Sequence, residues 1–348
     1  MARCPHFPAC PGCPWFGRPY ATRLAMKRAH VAGALRDALG DDASSIPVAA
    51  VRPAPERTGY RVQVKLMLAR THAGVAIGLY APGTHDVLDI SGCPLHDPLI
   101  MRALPVLRAV VVRERVPLHG HGRRGLRYLL VRASVDERRL LVILVSSQLP
   151  LDAAPSIARR LRAALPLAGL LVNENLSAGN VIVGPRTERI WGDRELRDRY
   201  GDVELAASPL AFVQANTRMA ATIYGAIADA AALDGSERVL DLYCGVGGIA
   251  LTLAARAAHV LAIEDETAAV RAARANARRN RRRNVRFEVA RVEERLDALT
   301  GFAPDVVTLN PPRKGCSAAV AAALVRARAP RLLYSRATRR RSHATLPS

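Results

Sequence analysis

The sequence predicts an α/β protein in two parts, a β-rich region at residues 1–200 and an α/β domain at residues 201–348. Two observations predict this division. Short apolar segments separated by glycine and proline dominate the first part, which is typical of antiparallel strands. In the second part, apolar runs alternate with helical segments, and one run leads into a glycine-rich turn, which is typical of a parallel sheet with crossover helices.

Composition narrows the class of protein before any motif is considered. The 348 residues suffice for two or three domains. A net charge of +21 favours a polyanionic partner, although nearly all the basic residues are arginine, a bias that a GC-rich genome also produces. The sequence shows no membrane-spanning segment and no signal-peptide pattern, so we expect a cytoplasmic protein. We also expect a monomer.

Three cysteines lie close together at the start of the chain, Cys4, Cys10 and Cys13, in the spacing C-x5-C-x2-C. Proline and glycine between them make a rigid loop that can direct several sulfurs to one point. A fourth cysteine, Cys93, lies in a similar turn far downstream. Four thiolates suit either zinc or a [4Fe–4S] cluster, and the spacing differs from that of zinc ribbons, which favours iron–sulfur.

The β-rich region is read from short alternating segments. After a helical segment at 20–39, strands are predicted at 60–68, 74–80, 87–90, 127–133, 140–145 and 170–172, with a helix at 153–164. Arg61, Gln63 and Lys65 share one face of the first strand, where they either contact phosphates or form a solvated surface.

The segment Ser208–Asn216 introduces a helix predicted at 217–232. Gln214 and Asn216 in this segment could reach a cofactor or a target base, and the alternative is that they cap the helix. A second predicted helix, at 268–283, is very rich in arginine. We interpret it mainly as a solvated face, with RNA contact as the alternative.

A glycine turn is the centre of the second part. An apolar strand reaching Asp241 is followed by Gly245, Gly247 and Gly248 and then by a helix predicted at 249–258. Such glycines let a nucleoside approach the main chain. The next apolar run ends in Glu264, placed to accept hydrogen bonds from both hydroxyls of a ribose. The pattern fits S-adenosylmethionine and also a dinucleotide.

The sequence Asn310-Pro-Pro-Arg313 follows another apolar strand and favours S-adenosylmethionine. Two prolines fix the backbone and remove two N–H donors, so the Asn310 side chain is held rigidly at the carboxyl end of the strand. Ligands bind at this end in open α/β sheets. Methyltransferases that modify an exocyclic amino group carry an aromatic residue where this chain has Arg313, which indicates another target atom.

Taken together, these motifs resemble the RNA uracil-5 methyltransferases, and most closely the iron–sulfur-containing branch that acts on 23S ribosomal RNA. The matching segments extend from Cys4 to Tyr334. The resemblance implies a class I, Rossmann-like methyltransferase domain after an RNA-binding domain. It implies S-adenosylmethionine contacts from Gln214, Tyr243, Glu264 and Asn310, and a [4Fe–4S] cluster on Cys4, Cys10, Cys13 and Cys93. A tRNA-directed relative and a non-catalytic RNA-binding remnant are the alternatives.

The family's reaction requires two further groups. A cysteine thiolate adds to C6 of uracil so that C5 can attack the methyl group, and a glutamate then removes the C5 proton. The family places this cysteine in a Ser-Cys-Asn-Pro segment after a strand resembling Arg331–Tyr334, and the glutamate further on. No cysteine or glutamate follows Tyr334 here, so we assign no catalytic residue. Cys316 either substitutes as nucleophile or packs, and Cys244 is expected to be structural.

The sequence after Tyr334 suggests why the expected cysteine and glutamate are absent. Residues 335–344 can be encoded by codons that, with one base added in front, read Val-Ser-Cys-Asn-Pro-Ala-Thr-Leu-Ala-Arg. We therefore expect a one-base frameshift after Tyr334, a C-terminus truncated relative to the family, and little turnover by the chain as translated. The β-barrel that often precedes the cysteines in this family is also expected to be missing.

Overall fold

The computed structural model describes residues 4–72, 74–120, 124–177, 179, 181–312 and 314–335. The chain divides into two compact units. The first comprises the described residues of Met1–Ala133 and Arg138–Arg194, and the second comprises those of Ser134–Glu137 and Glu195–Ser348. The first unit is rich in strands and the second alternates strands with helices, so the predicted α/β fold is confirmed.

The described part of the first unit contains one large sheet and three α-helices. In chain order its elements are α1 (Tyr20–Leu39), β1 (Gln63–Thr71), β2 (Gly74–Tyr80), β3 (Val87–Asp89), α2 (Pro98–Arg113), β4 (Leu126–Ala133), β5 (Leu140–Ser146), α3 (Ala154–Ala164), β6 (Leu167–Glu174) and β7 (Arg186–Gly192). The strand order is β3-β2-β1-β4-β5-β6-β7, with only the β5–β6 pair parallel among these strands.

Burial in this unit centres on the middle of the sheet. Every residue of β5 is buried, which is typical of a strand covered on both faces. Helices α2 and α3 contribute their apolar residues to the same core. The Asp97 carboxylate accepts the Leu99 N–H at 2.8 Å and Pro98 fills the first helical position, so α2 begins with a side-chain cap.

The second unit contains a hairpin and a parallel sheet, and the predicted glycine turn follows one strand of that sheet. Its elements are β8 (Leu196–Tyr200), β9 (Val203–Ala207), α4 (Thr217–Ala231), β10 (Arg238–Leu242), α5 (Gly248–Leu253), β11 (His259–Glu264), α6 (Thr267–Arg279), β12 (Val285–Val289), α7 (Ala298–Gly301), β13 (Val306–Leu309), α8 (Ala318–Ala327) and β14 (Arg331–Tyr334). The parallel sheet has the order β12-β11-β10-β13-β14. Strands β8 and β9 pair antiparallel.

Helix α5 is shorter than the sequence predicts, ending at Leu253 rather than at residue 258. The reason lies thirty residues away, because the side-chain amide of Asn284 donates to the carbonyls of Ala254 and Ala257, at 3.0 and 2.8 Å. The Ala254 carbonyl, which would accept the Ala258 N–H in a helix that reached residue 258, is thus satisfied by Asn284. The Ala258 N–H donates instead to the Glu237 carbonyl at 2.9 Å. In the described part of the chain, no helix combines the length and apolarity needed to cross a bilayer.

A buried asparagine joins the hairpin to the parallel sheet. Asn276 on α6 is fully buried. Its side chain accepts the Ala206 N–H at 2.9 Å and donates to the carbonyls of Ala206 and Val246, both at 3.2 Å. One residue therefore fixes β9, α6 and the glycine turn relative to one another.

Replacing Asn276 with alanine is expected to lower the free energy of unfolding by about 2–4 kcal/mol, because buried backbone groups lose their partners. Chemical unfolding followed by circular dichroism measures the change. Arg271→Ala, on the exposed face of the same helix, is the control and should shift stability by less than about 0.5 kcal/mol. Equal effects of the two substitutions would contradict this account.

Candidate functional site

The glycine turn lies where three parallel strands end together. Leu242, the last residue of β10, pairs with Ile263 of β11 on one side and with Leu309 of β13 on the other. The next residue of each strand segment, Tyr243, Glu264 or Asn310, therefore lies at the same carboxyl edge of the sheet. The structure thus brings together three of the four residues for which we predict cofactor contact.

The turn itself has an unusual backbone. Tyr243 has φ +62° and Gly247 has φ +90°, both in the left-handed region. A Cβ on Gly248 would lie 2.5 Å from the Tyr224 hydroxyl, so only glycine lets α4 pack this closely. In contrast, a Cβ on Gly245 would meet nothing within 4 Å. This side of the turn is open to a ligand.

Glu264 fixes the turn through its carboxylate. Oε2 accepts the Gly245 N–H at 2.9 Å, and Oε1 accepts the N–H groups of Asp265 and Glu266, both at 3.1 Å. Burial and the neighbouring Asp265 raise the pKa of Glu264 above its usual value. The Glu264 carboxylate thus holds the backbone of the glycine turn to the end of β11.

Asn310 begins a loop with a rigid backbone. Its N–H donates to the Leu242 carbonyl at 3.3 Å, and its side chain is half-buried. Pro311 and Pro312 follow, and the Gly315 N–H donates to the Pro312 carbonyl at 2.8 Å, which closes a tight turn. Arg313 lies outside the described residues.

The segment before α4 holds the remaining predicted contact. Gln214 is half-buried there, and within the described part of the chain its side chain is not hydrogen-bonded to the other three residues. Asn216 caps α4, since its side chain accepts the Met219 N–H at 2.9 Å. Phe212 in the same segment is 69% exposed.

Acidic side chains act on Tyr243 at the carboxyl edge. Burial, together with the charges of Glu293, Cys316 and Asp265, raises the pKa of Tyr243 to about 12. The Tyr243 hydroxyl is therefore neutral at physiological pH. This environment favours a ligand that carries positive charge.

Asp241 is a buried acid that our sequence analysis named as the end of a strand but to which it assigned no role. Its side chain accepts the Thr308 hydroxyl at 2.6 Å, which ties β10 to β13. Burial raises the pKa of Asp241 to about 7. The sequence signal that could have identified it is an acidic residue in an apolar strand directly before a glycine turn.

Neither cysteine near the turn is placed as an activated nucleophile. Burial raises the pKa of the Cys244 thiol well above its usual value, so little thiolate forms. Cys316 is half-buried and packs against the apolar cluster beside β13 and α8.

The four predicted cluster ligands share one neighbourhood. Burial and the charges of Cys93, Cys10 and Cys4, partly offset by Arg61, raise the pKa of Cys13 to about 11. The His6 ring donates to the Ser91 carbonyl at 2.8 Å, which joins the N-terminal loop to the turn that carries the downstream cysteine. All four thiols are free and half-buried. Among the described residues, no group of three or more His, Cys, Asp or Glu stands in a geometry that would hold a metal ion.

Comparison with known proteins places the chain among RNA methyltransferases. A family model described as tRNA (Uracil-5-)-methyltransferase matches residues 193–334. A relative described as an uncharacterized RNA methyltransferase of Geobacter sulfurreducens is 35% identical over 338 residues, covering 95% of this chain and 68% of the relative. A second such relative, from Thermosynechococcus vestitus, is 34% identical over 331 residues, covering 93% and 72%.

A solved structure shows the same fold. The Pyrococcus abyssi tRNA (uracil-54, C5)-methyltransferase, in complex with S-adenosyl-L-homocysteine, superposes with a TM-score of 0.77 over 94% of this chain and 75% of that chain, at 24% sequence identity. The relatives match at more than 30% identity over more than two thirds of their length, and the family model covers the glycine turn and the Asn-Pro-Pro loop. The chain belongs to the RNA (uracil-5-)-methyltransferase family.

Proposed function

We propose that this chain binds S-adenosylmethionine at the carboxyl edge of the parallel sheet and methylates C5 of a uridine in RNA. The observation that carries this proposal is the convergence of Tyr243, Glu264 and Asn310 around the open side of Gly245. The solved structure of the same fold was obtained with S-adenosyl-L-homocysteine, which supports the choice of cofactor.

The residues at this edge suit the parts of that cofactor. An ionised carboxylate has about four acceptor positions, and the Glu264 carboxylate uses three for backbone N–H groups, which leaves capacity for a ribose hydroxyl. The acidic surroundings of Tyr243 favour a cationic sulfonium. Asn310, on its rigid loop, and Gln214 are the remaining proposed contacts. Bound S-adenosylmethionine supplies an electrophilic methyl group.

The reaction also requires a nucleophile for C6. The buried Cys244 thiol is too weakly acidic to serve. We propose that the family's cysteine is encoded in the shifted frame after Tyr334, in the Ser-Cys-Asn-Pro segment, and that Cys316 is a packing residue. The residues after Ser335 lie outside the described part of the chain.

A methylation assay tests the reaction and the frame together. Two proteins are compared, the chain as translated and a version with one base inserted after the Tyr334 codon. Each is incubated with labelled S-adenosylmethionine and RNA, and 5-methyluridine is quantified. We expect at least about a hundredfold more product from the frame-restored chain, because the nucleophilic cysteine returns and the glutamate base is expected further along the restored frame.

Two outcomes would count against this account. Robust 5-methyluridine formation by the chain as translated would show that its own residues supply the nucleophile. Absence of product from both chains, with no covalent adduct to 5-fluorouridine RNA, would favour the non-catalytic RNA-binding remnant. Resequencing the gene across the Tyr334 codon checks the frame directly.

Glu264→Gln is expected to weaken S-adenosylmethionine binding about tenfold, because charge-assisted hydrogen bonds are lost and the turn is less well fixed. Isothermal titration calorimetry measures the dissociation constant. Glu266→Gln is the matched control, since Glu266 is exposed and its side chain does not cap α6. A similar loss in both variants would argue against a direct role for Glu264.

The class of RNA has two candidates. The cysteine spacing resembles that of the 23S ribosomal RNA branch, which is our first choice. The name of the matching family model and the tRNA substrate of the solved relative favour tRNA as the second. Methylation of the two transcripts in one mixture, followed by mapping of 5-methyluridine, distinguishes them. Cytoplasmic location and a monomeric state stay predictions.

We further propose that Cys4, Cys10, Cys13 and Cys93 hold a [4Fe–4S] cluster. The support is their donor chemistry and shared neighbourhood, joined through the hydrogen bond between His6 and Ser91. The described residues show no ligating geometry, so the thiols would have to converge when iron binds.

Anaerobic reconstitution tests the cluster independently of methylation. We expect about four irons per chain and a cluster absorbance band in the unmodified protein, and less than about one iron in Cys13→Ser. Cys244→Ser, which removes a thiol outside this group, should retain its iron. Stoichiometric zinc binding without iron would instead assign the site to zinc.

A further inference from the structure

A second surface of the methyltransferase unit has the chemistry to bind RNA. We propose that an arginine-lined groove between α6 and β12 binds the phosphate backbone of the RNA substrate, away from the uridine that is methylated. The inference rests on the proposed function only in taking RNA as the polyanion.

The groove has a volume of about 950 Å³ and is formed by the second half of α6, the loop after it and the start of β12. Six arginines and no acidic residue are among the side chains that line it. They are Arg274, Arg278, Arg281, Arg282, Arg283 and Arg286. A concave surface with one sign of charge concentrates counter-ions of the opposite sign.

Only part of this charge is neutralised within the protein. Arg286 pairs with Glu288 at 2.9 Å, whereas Arg274 donates to the uncharged Phe287 carbonyl at 2.7 Å and keeps its charge. The remaining four lining arginines form no ion pair or side-chain hydrogen bond with any residue that the structure describes. Four unpaired guanidinium groups in one groove repel one another, and phosphates remove this repulsion through bidentate hydrogen bonds.

Stabilisation of the carbonyl end of α6 does not account for all six arginines that line the groove. Cations in the last turn of a helix stabilise its carbonyl end, which accounts for Arg278 and for Arg279. Arg279 points away from the groove and pairs with Glu204 at 3.2 Å. Arg281, Arg282 and Arg283 lie beyond the helix, where this effect does not extend.

The groove is held rigidly. Asn280 accepts the Glu204 N–H at 2.8 Å and donates to the Glu204 carbonyl at 2.7 Å, so the end of α6 is tied to β9. Asn284, in the loop, is bonded to the carbonyls of Ala254 and Ala257. The backbone that carries the arginines is therefore ordered before any ligand binds, which lowers the entropy cost of binding.

The position of the groove favours a polymeric ligand. Val285 at the start of β12 pairs with Val260 at the start of β11, whereas Glu264 lies at the other end of β11. The groove is thus at the amino edge of the parallel sheet and the candidate cofactor site at the carboxyl edge, about 15 Å apart along the strands. One RNA molecule can reach both edges, and a free nucleotide cannot.

The test compares two triple variants of the full chain. Arg281→Gln, Arg282→Gln and Arg283→Gln together remove groove charge. The matched control, Arg199→Gln, Arg256→Gln and Arg326→Gln, removes the same charge from three exposed arginines elsewhere in this unit. Affinity for fluorescein-labelled RNA is measured by anisotropy over about 50–200 mM KCl.

We expect the groove variant to bind RNA about tenfold more weakly. The slope of the logarithm of the binding constant against the logarithm of the KCl concentration should fall in magnitude by about 2, since each lost phosphate contact contributes about 0.7. The control variant should keep the slope and lose less than about twofold in affinity. Arg278→Gln with Arg281→Gln, both exposed, serves as a milder variant if the triple variant unfolds. It should lose about threefold in affinity.

Equal RNA affinity and slope in the groove and control variants would overturn the proposal. So would weaker binding of inorganic tripolyphosphate with unchanged RNA affinity, because the groove would then serve a small polyanion. S-adenosyl-L-homocysteine binding is measured on the same samples. A chain that fails to bind it but shows the groove effect would refute the proposed cofactor site and leave the groove proposal intact.

Discussion

The candidate site depends on one hydrogen bond, from the Gly245 N–H to the Glu264 carboxylate. It joins the turn after β10 to the end of the neighbouring strand β11. The turn requires left-handed backbone at Tyr243, a conformation that costs a non-glycine residue about 1–2 kcal/mol. Because Glu264 also accepts two N–H groups at the start of α6, the same carboxylate fixes the turn, the strand end and the following helix. The backbone of the candidate site is thereby ordered before any ligand binds, as a binding site on a rigid scaffold requires.

Buried polar side chains connect the layers around this bond. Asp241 and Thr308 link adjacent strands beneath the turn, and Asn276 links the turn to the hairpin of β8 and β9. Such groups are stabilising only when their partners are present, so each specifies one arrangement of the elements it joins. The site is therefore coupled to packing on both faces of the sheet.

Charge is distributed unequally between the two edges of the parallel sheet. Acidic residues, including Glu264, Asp265 and Glu293, surround the turn at the carboxyl edge. Unpaired arginines line the groove at the amino edge. A cationic cofactor and a polyanionic substrate would thus be attracted to different places, which separates the two binding tasks electrostatically.

The sequence by itself determined the local chemistry of this protein. The glycine turn, the acid that ends β11 and the Asn310-Pro-Pro loop were predicted because glycine and proline restrict the backbone through neighbouring residues alone. Tertiary structure decided the helix ends and the side-chain pairing, which depend on residues that are distant in sequence. Asn284 shortened α5 from thirty residues away, α2 was not predicted, and the arginine-rich segment was divided into paired and unpaired side chains. The physical reason is that hydrogen bonds and ion pairs between elements depend on which strands and helices become neighbours, and local sequence does not encode that arrangement.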